Sequence, residues 1–353
     1  MGRQNNASIT DIAAAAGVSP TTVSRVLNNK RGDIRISDKT RALVLDVAKQ
    51  LGYQRNPLAS ALRSNRTGII GAINSAMSGT YMSRLAHHIQ LVAQERNIDL
   101  FVGAPRESSD AIAGQLSVLQ SHLFDGVLFL GDLARYQAFA SRDFAQPHVH
   151  VLPGDEQWLP LVSVDEAQGV KLALDHLTDL GHRRIACLGS PAWRWDARRI
   201  QFYQRYIARR LGPAFQQLLD LDHIPYPANI AGDADVGGKV SAHVEKAVTG
   251  AEPPTAIFCT NDSFGAAVVK ALYRLGLRVP EDISVLGYGN HHDARIIYPE
   301  LTTVSLASEE MAKEALDLLL RIIDNPENAE LREQRLLCAP ALVLRESARS
   351  IVS

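Results

Sequence analysis

Residues 8–29 read SITDIAAAAGVSPTTVSRVLNN, two helix-forming runs separated by a glycine and a proline. Ser8 is placed to cap the first run. Strong helix formers follow, and Gly17 suits the left-handed position that ends a helix. Ser19 can cap the second run, and Pro20 fits its first helical position, where a missing N–H costs nothing. That helix is predicted from Pro20 to about Asn28. Val23, Val26 and Leu27 recur at i, i+3 and i+4 as its inner face, and Thr21, Thr22 and Arg25 fall mostly on the other side. Two short helices about a tight glycine-containing turn make a helix-turn-helix.

A third helix is predicted after Ser37, with Asp38 in its first turn, Leu43, Val44, Val47 and Leu51 facing inward, and Gly52 at its end. Three helices give a small core. The outer face of the second helix carries short polar side chains and one arginine, a shape that enters a major groove and reaches base edges. The plain alternative is a helical hairpin of a larger bundle. Residues 1–66 hold eleven Lys/Arg against four Asp/Glu, a net +7, whereas the rest holds 26 against 34, a net −8, in a chain of net charge −1. A basic head on an acidic body suits a small domain that meets a polyanion, although a solvated basic surface would have the same composition.

Residues 53–67, YQRNPLASALRSNRT, follow. Asn56 can cap and Pro57 can start a helix of about two turns, too short to stand alone because nucleation outweighs the bonds it gains. Leu62 lies between Arg55, Arg63 and Arg66. An apolar tip among arginines suits a wedge between base steps in a minor groove; an interdomain linker is the plain alternative.

From Thr67 the pattern changes. Apolar runs such as 69–73, 100–102, 126–130, 184–188, 256–259 and 283–287 alternate with helix-length amphipathic stretches, including 82–96 and 111–121. This rhythm predicts parallel sheets covered by helices. About 285 residues exceed one comfortable core, so two subdomains are expected, with a ligand cleft at the carboxyl ends of their strands.

The order and spacing of Ile9-Thr10-Asp11-Ile12-Ala13, Gly17-Val18-Ser19, Thr22 to Asn28, Leu51-Gly52-Tyr53 and Asn56 to Leu62 resemble the LacI/GalR bacterial transcription regulators. In the body the resemblance continues through Asp125-Gly126-Val127, Val164-Asp165-Glu166, Leu177 to Ala186, Asn261-Asp262, Val279 to Tyr288, Pro299 to Val304 and Leu342 to Ser347, so it covers nearly the whole chain. It implies an α/β architecture: a helix-turn-helix head over 1–54, a hinge helix or linker over 55–66, and two doubly wound lobes of periplasmic-binding-protein type over 67–347. Residues 348–353 then form a tail. It also implies a homodimeric regulator, expected to be a repressor, that binds a pseudo-palindromic DNA operator and a small carbohydrate-like effector between its lobes. A solute-binding protein and an effector-independent DNA-binding regulator are the alternatives.

By that resemblance Pro20, Thr21 and Arg25 align with base-reading positions, and Leu62 with a leucine wedged into the operator, beside Ala59. The DNA-binding candidates are Ser19, Pro20, Thr21, Thr22, Arg25, Asn28, Ala59 and Leu62, and loop 29–35 is expected to touch phosphates. The effector-binding candidates are Ser75, Tyr81, Trp193, Arg199, Asn261 and Gly289. Three departures stand out. Pro20 can read a base only through apolar contact. Ser60 stands where the family often has arginine. Gly289 stands where it usually has an aspartate. Losing an acid while keeping Arg194, Arg198 and Arg199 shifts the expected effector toward a phosphorylated or carboxylated carbohydrate, with a neutral sugar close behind. Phe202 and Tyr206 replace smaller residues and could instead fill the site.

Other signals are weaker. Cys187 and Cys259 lie in strand-like runs, which suggests buried free thiols in a reducing compartment. The pairs His87-His88, His148/His150 and His291-His292 lack metal-ligand spacing, so no metal or other cofactor is expected, although His291 and His292 could touch the cleft. No catalytic motif occurs, and no enzyme is expected. The N-terminus lacks a signal-peptide core and no apolar run is long enough to span a membrane, so a cytoplasmic location is expected. No heptad segment follows Ser347, so a tetramer built that way is not expected.

Overall fold

The computed structural model describes residues 7–27, 36–53, 66–74, 80–103, 124–131, 144, 146–151, 159–221 and 234–351. The chain divides into two units, Met1–Thr67 and Gly68–Ser353. Hinge residues 55–65, with Ala59 and Leu62, lie outside the described residues, as do Asn28, the 29–35 loop, Ser75 and the helix expected over 111–121.

The head contains helices α1 (Ile9–Ala16), α2 (Pro20–Leu27) and α3 (Asp38–Gln50). Each start is fixed by a serine. Ser8 and Asp11 form a reciprocal capping box, Ser19 Oγ accepts from the Thr22 N–H at 3.1 Å, and Ser37 Oγ accepts from the Thr40 N–H at 3.1 Å. These satisfy backbone donors that a helix start leaves unpaired. Gly17 takes φ +64° and turns the chain from α1 toward α2. The core is Ile12, Ala13, Ala16, Val23, Val26, Val44, Val47 and Ala48. Leu43 and Leu51, expected inside, are 46% and 42% exposed. The inner stripe of α3 is Val44, Val47 and Ala48, at i, i+3 and i+4, and a core this small accepts only that narrow face.

The body has two six-stranded sheets. One takes the order β11-β5-β4-β3-β1-β2, from β1 (Ile69–Asn74), β2 (Asp99–Gly103), β3 (Gly126–Leu130), β4 (His148–Val151), β5 (Leu161–Val164) and β11 (Arg335–Cys338). The other takes β12-β10-β9-β8-β6-β7, from β6 (Ile185–Gly189), β7 (Gln217–Asp220), β8 (Ala256–Cys259), β9 (Ser284–Gly289), β10 (Thr302–Ser305) and β12 (Ala341–Val343). All pairings are parallel except β10 with β12. Strands β3, β5, β6, β8 and β9 are buried throughout, as strands covered on both faces must be.

The sheet assignments make two lobes. Helices α4 (Thr80–Glu95) and α10 (Ser308–Asp324) pack together on the first; α5 (Glu166–Asp179), α6 (Arg194–Arg210), α7 (Ala234–Val248), α8 (Asp262–Arg274) and α9 (Asp293–Ile296) belong to the second. A further short helix, α11 (Ala329–Arg332), precedes β11. The chain crosses between lobes three times, after β5, β10 and β11. The segment read as a tail is tied to the second lobe: the Arg349 N–H donates to Ser284 Oγ at 3.1 Å and the Ile351 N–H to the Leu180 carbonyl at 2.9 Å. Cys187, Cys259 and Cys338 are free and buried. Among the described residues no helix is long and apolar enough to cross a membrane, and no cluster of metal-ligating side chains occurs.

Candidate functional site

In the head, Val23 and Val26 anchor α2 in the core, and that anchoring sets what its other face presents. Pro20 and Thr21 are exposed, and Thr22 and Arg25 are half-buried. The Ser19 hydroxyl is engaged by the Thr22 N–H and lies 2.9 Å from Thr22 Oγ1. Ser19 and Thr22 therefore shape the helix start, while Thr21 and Arg25 remain as the reaching groups. The N-terminus of α2 adds a partial positive charge suited to a phosphate.

In the body, Glu166 opens the helix after β5, Trp193 and Asn261 lie in the loops after β6 and β8, and Gly289 ends β9, all at the carboxyl-end position at which open sheets bind ligands. At the centre is Arg199. Its Nε and Nη2 donate to the two carboxylate oxygens of Glu166 at 2.8 and 2.7 Å, and its Nη1 donates to the Thr260 carbonyl at 2.8 Å. The guanidinium lies 4.2 Å from the centre of the Tyr288 ring. Both charged groups are buried. Burial pulls the Arg199 pKa down, but the charge and hydrogen bonds of Glu166 outweigh it and hold the guanidinium above its usual range. Asp196, 3.9 Å from Arg199 Nη1, is pushed up to about 6 by burial, against the pull of Arg199.

This pairing alters the expected ligand chemistry. The shift toward an anion rests on the lost acid and on Arg194, Arg198 and Arg199, and of these three charges that of Arg199 is already matched by Glu166 inside the protein. A second carboxylate or phosphate would compete with that bidentate pair and face the Glu166 charge.

The other candidates divide into walls and polar readers. Trp193 is buried and stacked on Phe264, ring centres 5.3 Å apart, as part of the second lobe's core. Tyr81 is buried in the first lobe, where its hydroxyl donates to Met311 Sδ at 3.1 Å. Burial, then the Glu166 charge, keeps that phenol protonated well above its usual range. Asn261 caps α8, its Oδ1 accepting from the Phe264 N–H at 2.9 Å. Gly289 takes φ +121°, and a Cβ there would lie 2.3 Å from the imidazole Nε2 of His291. The place of a side chain at 289 is thus taken by His291.

Sequence reasoning missed Glu166, Tyr288, Asp262 and Arg84. Asp262 is buried, accepts from Thr303 Oγ1 and from the His291 N–H at 2.5 Å each, and so fixes the loop after β9. Burial pushes its carboxyl up to about 6. Arg84 of the first lobe donates to the Asn290 carbonyl of the second and to Ser308 Oγ, the latter at 3.3 Å. Arg345 holds Asn290 Oδ1 at 2.7 Å. A carboxylate directly after a strand and opening a helix, as in Asp165-Glu166 and Asn261-Asp262, was the available signal. Tyr206 is turned to the seam of α5 with α6, where its hydroxyl donates to Asp175 Oδ1 at 2.6 Å, whereas Phe202 lines a cavity beside Glu166 with Asp165, Arg194 and Arg198.

Residues 8–56 match the bacterial regulatory proteins of the lacI family, and residues 174–348 match the periplasmic binding protein-like domain. The ribose operon repressor of Escherichia coli is 31% identical over 97% of this chain and 100% of its own length. The HTH-type transcriptional regulator DegA of Bacillus subtilis is 30% identical over 96% of this chain and 97% of its own. The Lac repressor dimer bound to operator and the anti-inducer ONPF shares the fold, with a TM-score of 0.75 at 24% identity, covering 98% of this chain and all of that one.

Proposed function

This chain belongs to the lacI family of bacterial regulatory proteins, and from that premise we propose that it is a homodimeric transcriptional repressor acting in the cytoplasm. Its affinity for a pseudo-palindromic operator is set by a small carbohydrate-like effector between the lobes of the body. The observation that carries this reading is the conjunction, in one chain, of a capped, core-anchored α2 presenting Thr21 and Arg25 and a polar cleft at the junction of two lobes joined by three crossings. The relatives are named as repressors and regulators of transcription, so the chain is a regulator rather than an enzyme.

In this reading Thr21 and Arg25 contact base edges, and Pro20 packs on a base by apolar contact. Asn28 and the 29–35 loop touch phosphates. Residues 55–66 fold on the central minor groove, with Ala59 and Leu62 at the kinked step. The effector lies among Tyr81, Trp193, Arg199, Asn261 and the loop after Gly289, with Ser75 as a further contact. The internal Arg199–Glu166 pair favours an uncharged, hydroxyl-rich ligand over an anionic one. Arg84 and Asn290 join the lobes at this point, so a ligand that draws the lobes together or apart has a defined contact to make or break. Exposed Tyr273, Ile296 and Tyr298, on and after the mutually packed helices α8 and α9, offer apolar surface for a second copy.

The test is selection of bound fragments from a random-sequence DNA pool by the full-length protein, with and without neutral sugars and their phosphates. A twofold-symmetric consensus whose recovery changes with a neutral sugar is expected. Fragments with no shared sequence would remove the repressor reading, and a response confined to sugar phosphates would remove the neutral-effector reading.

A further inference from the structure

The imidazole of His291 is placed with unusual constraint. Its backbone N–H is fixed by Asp262. Its Nε2 edge lies against the backbone of Gly289, close enough that any side chain at 289 would collide with it. Its ring centre is 6.3 Å from that of Tyr81, a residue of the other lobe. It also lines an interlobe cavity of about 1000 Å³ with Arg84, Asn290 and Ser308, a lining that does not include Tyr81, Trp193, Arg199 or Asn261. Yet Nδ1 is buried and has no hydrogen-bond partner within the protein. Buried nitrogens are nearly always paired, and an orphan at the junction of two lobes is a group waiting for a partner that arrives from outside. The neighbouring His292 is exposed and has no such constraint.

We propose that His291 is a specificity-determining residue for the effector, its neutral imidazole forming through Nδ1 a hydrogen bond with a ligand hydroxyl. A neutral imidazole has one donor nitrogen and one acceptor nitrogen, and a hydroxyl can answer either. The surrounding charges agree with this. Burial first, then Arg199 and Arg84, take the ring down to about 3, so it stays unprotonated at physiological pH and gives no positive charge to an anion. Gly289 is then required because the Nε2 edge of the ring takes the space a side chain would need there. The assignment rests on the effector reading above and deepens it: a pocket that loses a hydrogen-bonded group rejects ligands more sharply than one that loses an apolar contact.

The experiment is calorimetric titration of the full-length protein with D-ribose, D-glucose, cellobiose and ribose 5-phosphate, repeated on His291→Leu and His291→Gln with melting of each protein recorded. A neutral sugar that binds the wild type is expected to lose about tenfold or more in affinity in His291→Leu. The loss should be only about threefold in His291→Gln, whose amide keeps a donor and an acceptor. Melting close to wild type in the Gln variant separates loss of contact from loss of fold. If a sugar binds wild type and His291→Leu equally well, the His291 assignment is wrong while the effector reading stands. If none of the three neutral sugars binds the wild type, or only ribose 5-phosphate does, the neutral-effector reading fails and this assignment falls with it.

Discussion

The head and the body build their chemistry in opposite ways. Among the described residues of the head every helix start is set by a bond between residues three apart: Ser8 with Asp11, Ser19 with Thr22, and Ser37 with Thr40. The groups offered to a partner then stand on the outer face of one eight-residue helix. In the body the site is made of distant pairs. Arg199 and Glu166 are 33 positions apart, Thr303 and Asp262 are 41 apart, and Arg84 and Asn290 are 206 apart. The head carries its chemistry on the surface over a small apolar core, whereas the body buries its charges and must pair them. The first arrangement tolerates loss of a functional group; the second does not.

The strongest challenge to that contrast is Glu166→Ala. It leaves Arg199 buried and unpaired, and removal of one partner of a buried pair costs about 3–5 kcal/mol. The body's melting transition should fall accordingly while the head's is unchanged, as read by calorimetry of the whole protein. The double change Glu166→Leu with Arg199→Met should recover most of the loss, because two apolar groups of similar volume need no partner. A body that melts normally in the single variant would mean that the pair is solvated in solution and the contrast is overstated.

The same contrast explains what could be read from sequence. The helix-turn-helix was legible because caps, period and the glycine turn are local, and Ser8, Gly17, Ser19 and Pro20 state them within thirteen positions. The alternation of the body was legible because strands such as 126–130 and 256–259 are continuous apolar runs. Arg199 was found, but its partner was not, since nothing local says that a glutamate at the start of α5 will meet an arginine one turn into α6. An anionic preference argued from the arginines therefore counts one charge, that of Arg199, whose partner lies elsewhere in the sequence. Gly289 shows the same limit: a missing side chain is visible in sequence, but the ring of His291 that occupies its place is visible only in the fold.

Next in size is Arg25→Ala. Because Arg25 lies on the outer face of α2 over a core formed by other residues, the head's stability should change little. Affinity for the selected operator should fall by about 1–3 kcal/mol. Anisotropy titrations at fixed salt with operator and scrambled duplexes separate the outcomes. A larger loss on the operator is expected, and an equal loss on both would make Arg25 a phosphate contact only.

Acid should separate the two regions without any substitution. The head contains no histidine, whereas in the body His88, His148, His150, His176, His182 and His291 are all held below the ordinary histidine value, chiefly by burial. For His150 and His291 the folded value is about 3. Between that value and the unfolded value near 6.5 the unfolded chain binds more protons, so stability present above pH 6.5 is lost as pH falls. Asp196 and Asp262, raised to about 6, act in the opposite sense, stabilising the fold as they take up protons below that pH. With six such histidines against two such carboxylates among the described residues, the body should melt lower at pH 5.5 than at pH 7 and the head should not move. A body transition that rises over this range would show that the carboxylates dominate.

The smallest effect tests the head where its reading failed. Helix period alone brought Leu43 inside, yet α3 turns Val44, Val47 and Ala48 to the core and leaves Leu43 nearly half exposed. Residues 43 and 44 are about 100° apart around a helix, and three short helices leave no second stripe to bury. Leu43→Gln should therefore shift head stability by no more than about 0.5 kcal/mol, the ordinary range for surface changes. Val44→Ala removes two buried methyl groups and should cost more than about 1 kcal/mol. If Leu43→Gln proved the costlier of the two, the core of the head would extend to a face that the fold leaves in water. The rule that a local pattern suffices there would then fail for the same reason as in the body, through a contact that no neighbouring residue announces.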